Sequence, residues 1–409
     1  MPKKMKNALK IALLTSIFCL NIKAQMGCTD SYATNYNAAA TINNGSCIYN
    51  SVSVTPTNST VLSNVINETS GLIEWENFLY THNDNTDTSL YKINKTTGGI
   101  VQSIVINGIT NVDWEEIAQD ENFIYIGDFG NNVSGNRTNL KIYKISKSTL
   151  TTTPIIETIN FTYSNQTDFT AQTANNTNFD CEAFIVTDTE ILLFTKQWVT
   201  NQTSIYSLPK NTGTHIANLI TTLNVSGLLT GATLKKDIRL IALSGYDSTL
   251  KPFIYLIYDY YGTNFALANK RKIEITLPFH QVEGISTTNG TDYFITNESF
   301  IQSPFINNPQ KLHTLNISNF INNYINSLSN KNFINDKTII TTFPNPTTGE
   351  IYFDLTDIIN KTYQIRNING QVIQSDIFRE NKINIANFET GVYLLSIENN
   401  PNIIKIMKK

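Results

Sequence analysis

Asp113-Trp114-Glu115-Glu116-Ile117-Ala118, then Phe123-Ile124-Tyr125-Ile126-Gly127-Asp128, then Leu140-Lys141-Ile142-Tyr143-Lys144-Ile145, form one complete unit of a pattern that runs through the middle of the chain. An acidic start leads into an apolar strand, a Gly, Asp or Asn turn follows, and a strand of aromatic-aliphatic alternation closes the unit. Alternation at period two marks a strand with one face in a core and the other outside.

Four further stretches keep the same order. The first runs from Gly71-Leu72-Ile73-Glu74 through Phe78-Leu79-Tyr80 to Leu90-Tyr91-Lys92-Ile93, and the third from Asp180-Cys181-Glu182-Ala183 through Ile191-Leu192-Leu193-Phe194 to Ser204-Ile205-Tyr206-Ser207-Leu208. The fourth runs from Leu229-Thr230-Gly231-Ala232 to Phe253-Ile254-Tyr255-Leu256-Ile257-Tyr258, and the fifth from Val282-Glu283-Gly284-Ile285 to Lys311-Leu312-His313-Thr314-Leu315. Their spacing of roughly 40 to 60 residues is the period of propeller blades. One small sheet cannot cover its own apolar faces, whereas a ring of them can. The expectation is an all-β protein with a five- or six-bladed β-propeller at 51–318. Residues 155–163 and 216–225 would supply outer strands, and the stretch near 52–66 would close the ring. A β-sandwich or two stacked sheets is the competing architecture.

Composition supports this reading. Of 409 residues, 41% are hydrophobic and only 15% charged, and Asn, Thr, Ile and Tyr outnumber the helix formers. A net charge of −3 supplies no field for nucleic acid, and no basic stretch interleaved with aromatics follows the N-terminus.

The N-terminus carries Lys3, Lys4, Lys6 and Lys10, a short apolar run from Ile11 to Leu20, and Ala24 before Gln25. The run is too short to span a bilayer, so 1–24 reads as a signal peptide and the mature chain has no transmembrane span. Phe18 before Cys19 argues against lipoprotein processing. In an oxidising compartment Cys28 and Cys47 are expected to pair, which would stabilise a mini-domain at 25–50 by about 3 kcal/mol. Cys181 lies among Phe179, Ala183, Phe184 and Ile185 and reads as a buried small hydrophobe. The segment from Gly27-Cys28-Thr29-Asp30 to Gly45-Ser46-Cys47 resembles a short repeat of secreted Bacteroidetes proteins that is similar to calcium-binding thrombospondin type 3 repeats. Asn43 and Asn44 stand where that family carries aspartates, which favours a disulfide-clipped spacer over a cation site.

Residues 319–340 turn polar and Asn-rich and read as a linker, with one helical stripe at Phe320, Ile321, Tyr324, Ile325 and Leu328. The last segment, 341–409, contains Pro344-Asn345-Pro346-Thr347-Thr348-Gly349, then Asn369-Gly370-Gln371, then Gly391-Val392-Tyr393, and ends with Lys408-Lys409. These spaced motifs resemble the type A C-terminal sorting domain of type IX secretion, a small β-sandwich. The resemblance implies the type IX machinery as a partner, passage through the outer membrane by way of the periplasm, and a secreted or outer cell-surface location.

Acidic residues recur at the unit starts: Glu116, Glu182 and Glu283 each precede a small or apolar pair, with Asp113 and Asp180 just upstream of two of them. The first strand of a propeller blade lines the central channel, so these carboxylates are expected at one axial opening. There they would favour a calcium-like cation or simply bond backbone amides and hold neighbouring blades in register. Asp128, in Asp128-Phe129-Gly130-Asn131-Asn132, would add oxygen ligands. The central region resembles the esterase-like phytase and gluconolactonase propellers, which implies a calcium-dependent hydrolase of phosphoesters, esters or lactones. That hydrolase is the alternative; the favoured reading is a non-catalytic surface propeller that binds a glycan, peptide or protein, with Trp75, Trp114 and Trp198 as exposed contacts. His82, His215, His280 and His313 show no metal-ligand spacing and read mostly as surface or loop residues. No nucleophile elbow, zinc motif or phosphate-cradling loop is present.

Overall fold

A computed structural model describes residues 25–329, 342–353, 358–398 and 404–409; the expected signal peptide lies outside the described residues. Five four-stranded antiparallel sheets form a closed ring. Blade I consists of Thr69–Trp75, Phe78–Asn83, Ser89–Ile93 and Ile100–Val105, and blade II of Trp114–Gln119, Phe123–Asp128, Lys141–Ser146 and Ile156–Tyr163. Blade III consists of Asp180–Val186, Glu190–Lys196, Gln202–Pro209 and Gly213–Asn224, and blade IV of Leu228–Lys235, Leu240–Tyr246, Pro252–Tyr258 and Asn269–Ile275. Blade V takes Val282–Ser286, Asp292–Asn297 and Lys311–Asn316 from the end of the ring, and its outer strand, Asn58–Val61, from the beginning.

The inner strands neighbour one another in the cycle I–II–III–IV–V–I, so the architecture is a five-bladed propeller latched by its N-terminal strand. Ser53–Val54 adds in parallel to the edge of blade IV. The outer strands of blades II and III also pair in parallel, from Ile159 opposite Gly213 to Tyr163 opposite Ala217, which fuses the two blades into one eight-stranded sheet. Alternation explains the packing. In Lys141–Ser146, Ile142, Tyr143 and Ile145 are buried while Lys141 and Lys144 reach the surface. Cores between successive blades hold the aromatics, such as Phe129 between Phe161 and Phe184.

The Cys28–Cys47 disulfide is formed, and its small segment is docked rather than free. Asp30 Oδ2 accepts from Tyr258 OH at 2.5 Å and Tyr49 OH at 2.8 Å, and Thr29 Oγ1 bonds Tyr324 OH at 2.5 Å. Tyr324 belongs to the helix Ser318–Ser329, whose Ile321, Tyr324, Ile325 and Leu328 bury themselves against blades IV and V. The described residues from 342 onward form a three-stranded and a four-stranded sheet around one core that includes Ile351, Phe353, Ile365 and Ile406. Asn345 of the Pro-Asn-Pro stretch braces the terminal strand Ile404–Lys408, donating to Lys405 O at 2.7 Å and accepting from Met407 N at 2.9 Å. Among the described residues no helix is long and apolar enough to cross a membrane.

Candidate functional site: the carboxylate mouth of the ring

Every inner strand is interrupted by a register shift at the same level of the ring, between Ser70 and Ile73, around Glu115, around Glu182, around Thr230, and at Glu283-Gly284. A bulge leaves its extra residue unpaired and re-aims the side chain. Glu115, not Glu116, is therefore in register with Glu182 and Glu283. Adjacent strand residues face opposite sides, so the two neighbours meet different fates.

Glu116 turns inward and is fully buried. Its Oε1 accepts from Ile117 N at 2.9 Å and its Oε2 from Ala232 N at 2.6 Å, and the Leu72 amide also points at it. Burial pushes the Glu116 carboxyl well above its usual range while these amides pull the other way. One carboxylate thus bridges blades I, II and IV. Gly231 is required by the same close approach, because a Cβ there would stand 2.2 Å from Glu283 O.

The remaining carboxylates gather at the end of the ring where inner strands begin and second strands finish. Glu115, Asp180 and Glu182 are all buried, with one ligand atom of each within 4.8 Å of the others. Lys196, at the end of the second strand of blade III, sits over them with Nζ 3.1 Å from Glu182 Oε1, 4.7 Å from the Trp198 ring centroid and 5.4 Å from that of Tyr246. Asp180 accepts from Asn131 N at 2.5 Å and Trp198 Nε1 at 2.7 Å. Gly130 is pressed against this triplet, since a Cβ there would come within 2.2 Å of Glu115 Oε1 and 2.3 Å of Asp113 Oδ2. A second triplet, Glu68, Asp84 and Glu298, is half-buried and meets the same 4.8 Å criterion. Glu283 is 6% exposed, feels Lys196 first and then carboxylates of both triplets, and its Oε2 has no hydrogen-bond partner.

Burial dominates the electrostatics. It raises Asp113 to about 6 with Asp180 adding to the effect, Asp84 to about 7 with Glu68 adding, and Glu298 to about 9 with Glu283 adding. Burial also raises Glu283 to about 8, against the pull of Lys196. Glu115 and Glu182 are pushed well up by burial and by neighbouring carboxylates. Burial works against the Lys196 charge, but Glu182, Tyr246 and Glu283 outweigh it and hold the ammonium well above its usual range. Burial and like charge together disfavour the ionised carboxylates, and a divalent ion would offset the like-charge part.

Of the residues singled out by sequence, Asp113, Asp180, Glu182 and Glu283 meet at this mouth. Asp128 is nearby but engaged: its Oδ1 accepts from Arg137 at 2.8 Å and from Asp113 N at 3.3 Å, although its Oδ2 has no partner. Trp114 is fully buried against His82 and Tyr143 and offers no exposed contact, because its indole fills the gap between blades I and II. Trp75 lies at the far end of its strand, and Trp198 alone of the three borders the mouth. The histidines are corrected in part: His82 and His313 are buried within the blades, His82 bonding Asn83 O and His313 bonding Ser59 Oγ and Asn297 Oδ1, whereas His280 is buried in the loop between blades IV and V, with Nδ1 on Pro278 O. Cys181 is buried and unpaired, and burial raises its thiol. Sequence reading passed over Glu68, Asp84, Glu115 and Glu298. The signal for two of them was the matching end of the second strand in blades I and V, Asn83-Asp84 and Asn297-Glu298. At the opposite end of the axis a cavity of about 500 Å³ is bordered by Glu74, Asp120, Glu121, Asp188, Lys235 and Lys236.

Residues 341–409 match the secretion system C-terminal sorting domain family. That segment makes the chain a type IX export substrate, bound for the cell surface or the medium. No curated protein matches the chain in sequence. Among solved structures, the PQQ-bound aldose sugar dehydrogenase of Streptomyces coelicolor shares 8% identity over 64% of this chain and 98% of its own, with a TM-score of 0.39. PorZ, a surface component of the type IX secretion system of Porphyromonas gingivalis, shares 10% identity over 83% of this chain and 45% of its own, with a TM-score of 0.30. The propeller is established by its own strand order and ring closure; these likenesses add nothing to it.

Proposed function

We propose that the chain is an exported binding propeller that engages an oxygen-rich ligand, a glycan or an acidic peptide, through a calcium-class divalent cation held at the carboxylate mouth. The observation that carries this reading is the convergence of two carboxylate triplets, with the buried Glu283 whose Oε2 lacks a partner, on one opening where Lys196 pairs with Glu182 alone among the described residues. A hard cation takes six to eight oxygens, and protein carboxylates that leave positions open let the ligand supply the rest. Asp113, Asp180, Glu182 and Glu283 belong to this mouth, whereas Glu116 and Asp128 serve the ring and Arg137. The domain plan that goes with this reading is a signal at 1–24, a clipped segment at 25–50, the propeller at 51–318, a connection at 319–340 and the sorting domain at 341–409.

Calcium calorimetry on the mature chain tests the proposal. Binding of the ion, with a rise in melting temperature reversed by chelator, is expected; a chain indifferent to both overturns it. A calcium-dependent hydrolase at the same mouth is the second reading, favoured by Glu283, whose carboxyl at about 8 is placed to give up a proton at neutral pH. Turnover of phosphoester, ester or lactone substrates that disappears in Glu283→Gln would establish it.

A further inference from the structure

The cavity of about 500 Å³ at the far end of the axis is walled by the five inner strands and the turns that follow them. Its apolar wall residues spend their side chains elsewhere: Leu72, Ile117, Phe184 and Ala232 are buried in four separate cores between the blades. What faces the axis is main chain. An inner strand pairs on one side only, so every second residue turns its N–H and C=O away from the sheet. The amides of Leu72, Ile117 and Ala232 fix which residues these are, because all three meet on the carboxylate of Glu116 inside the ring. Two positions further along, Glu74, Gln119 and Leu234 turn the same way, and the Glu74 carbonyl accepts from Gln119 Nε2 of the next blade at 2.6 Å. In blade III the bond from Thr187 N to Glu190 O turns Thr187 and Ile185 toward the second strand, which leaves Phe184 and Val186 for the axis.

Charge at the rim is cancelled in pairs. Glu74 pairs with Lys95 at 2.6 Å, Asp120 with Lys210 at 3.0 Å, Lys235 with Asp237 at 3.0 Å, and Lys236 with Asp188. Glu121 has no ion pair among the described residues and is exposed to solvent. A wall of backbone donors and acceptors disfavours an ion, which would be desolvated with no free counter-charge to meet it. It equally disfavours an apolar molecule, which would leave those groups without partners. A hydroxyl both donates and accepts, so a molecule covered in hydroxyls fits such a wall in either sense. The volume lies in the range of small-molecule sites, about 300–1,000 Å³.

We propose that this cavity is a second binding site, for a neutral sugar of one or two rings, held by strand edges rather than by a charged side chain. It lies at the opposite end of the axis from the carboxylate mouth, and the cation reading of that mouth stands or falls without it.

Calorimetric titration of the mature chain with neutral hexoses, N-acetylhexosamines and their disaccharides is the test, each raised to roughly 10 mM so that a Kd of about 1 mM is detected. Chelator is present throughout, so that no ion can hold a sugar at the mouth. Binding of at least one of these sugars is expected, unchanged by added salt and no stronger for the corresponding uronic acid. Thr288→Trp, at an exposed position on the cavity wall, should lower the affinity more than roughly tenfold. A chain that binds none of these sugars, or that binds only the uronic acids, overturns the proposal. So does binding left untouched in Thr288→Trp, a variant checked for folding by circular dichroism. Should that variant fail to fold, a structure of the sugar complex takes its place, and a sugar found anywhere but in this cavity has the same consequence.

Discussion

Glu116 Oε2 accepts the backbone N–H of Ala232 at 2.6 Å, a bond that runs from blade II to blade IV without passing through the blade between them. The carboxylate is as much a part of the ring as any strand pair. Glu116→Ala removes the acceptor and leaves buried amides unpaired, each costing about 1–3 kcal/mol. A loss of about 3 kcal/mol by urea denaturation is expected, with export unaffected. A variant as stable as wild type would show that the bond contributes nothing net.

His313 couples the latch to acidity. Its ring bonds Ser59 Oγ at 2.7 Å on the N-terminal strand and Asn297 Oδ1 at 2.8 Å, and burial lowers it from 6.5 to about 3, with His280 and Lys311 acting in the same direction. The unfolded chain therefore takes up this proton first. The contribution is whole above about 6.5 and is lost as pH falls toward 3, by about 1.4 kcal/mol per unit. Stability measured between pH 7 and 4 should fall steeply in the wild-type chain and less steeply in His313→Phe. Parallel slopes for the two would refute the coupling.

Docking of the disulfide-clipped segment depends on Asp30, which joins Tyr49 and Tyr258. Replacing it by alanine takes the shared acceptor from both phenols, leaving them their bond to each other at 2.9 Å, and should weaken docking by about 2 kcal/mol, roughly thirtyfold in the docking equilibrium. Limited proteolysis within 25–50 is the readout. Unchanged cleavage rates would show that the disulfide holds the segment without help.

Removing residues 341–409 should leave the rest of the chain folded in the periplasm of a host with intact type IX machinery, and fusing them to a reporter should send it out. Retention of the fusion would refute the sorting role of this segment.

Most of the ring was legible in the sequence because alternation survives in short strands. Phe123–Asp128 and Lys141–Ser146 read directly, and the stretch near 52–66 was marked as closing the ring. The outer strand of blade IV, Asn269–Ile275, escaped notice although its Lys270, Lys272 and Glu274 alternate with Arg271, Ile273 and Ile275. The blade starts led to four residues of the mouth. Glu115 was confused with Glu116 because a bulge moves the register by one residue, a shift invisible in a sequence where both are glutamates. Glu68, Asp84 and Glu298 stand just outside strands, where an acidic residue looks like ordinary turn chemistry until the ring brings three turns together.

The latch strand Asn58–Val61 has one more implication. It lies ahead of all the other blade strands in the chain, so it waits without a partner during synthesis until Lys311–Asn316 has been made. A nascent chain halted anywhere short of that point has an open circle with two raw sheet edges, which are adhesive toward other chains. Shearing off the sorting segment after export, by contrast, subtracts no strand from the circle, and the cargo is left whole.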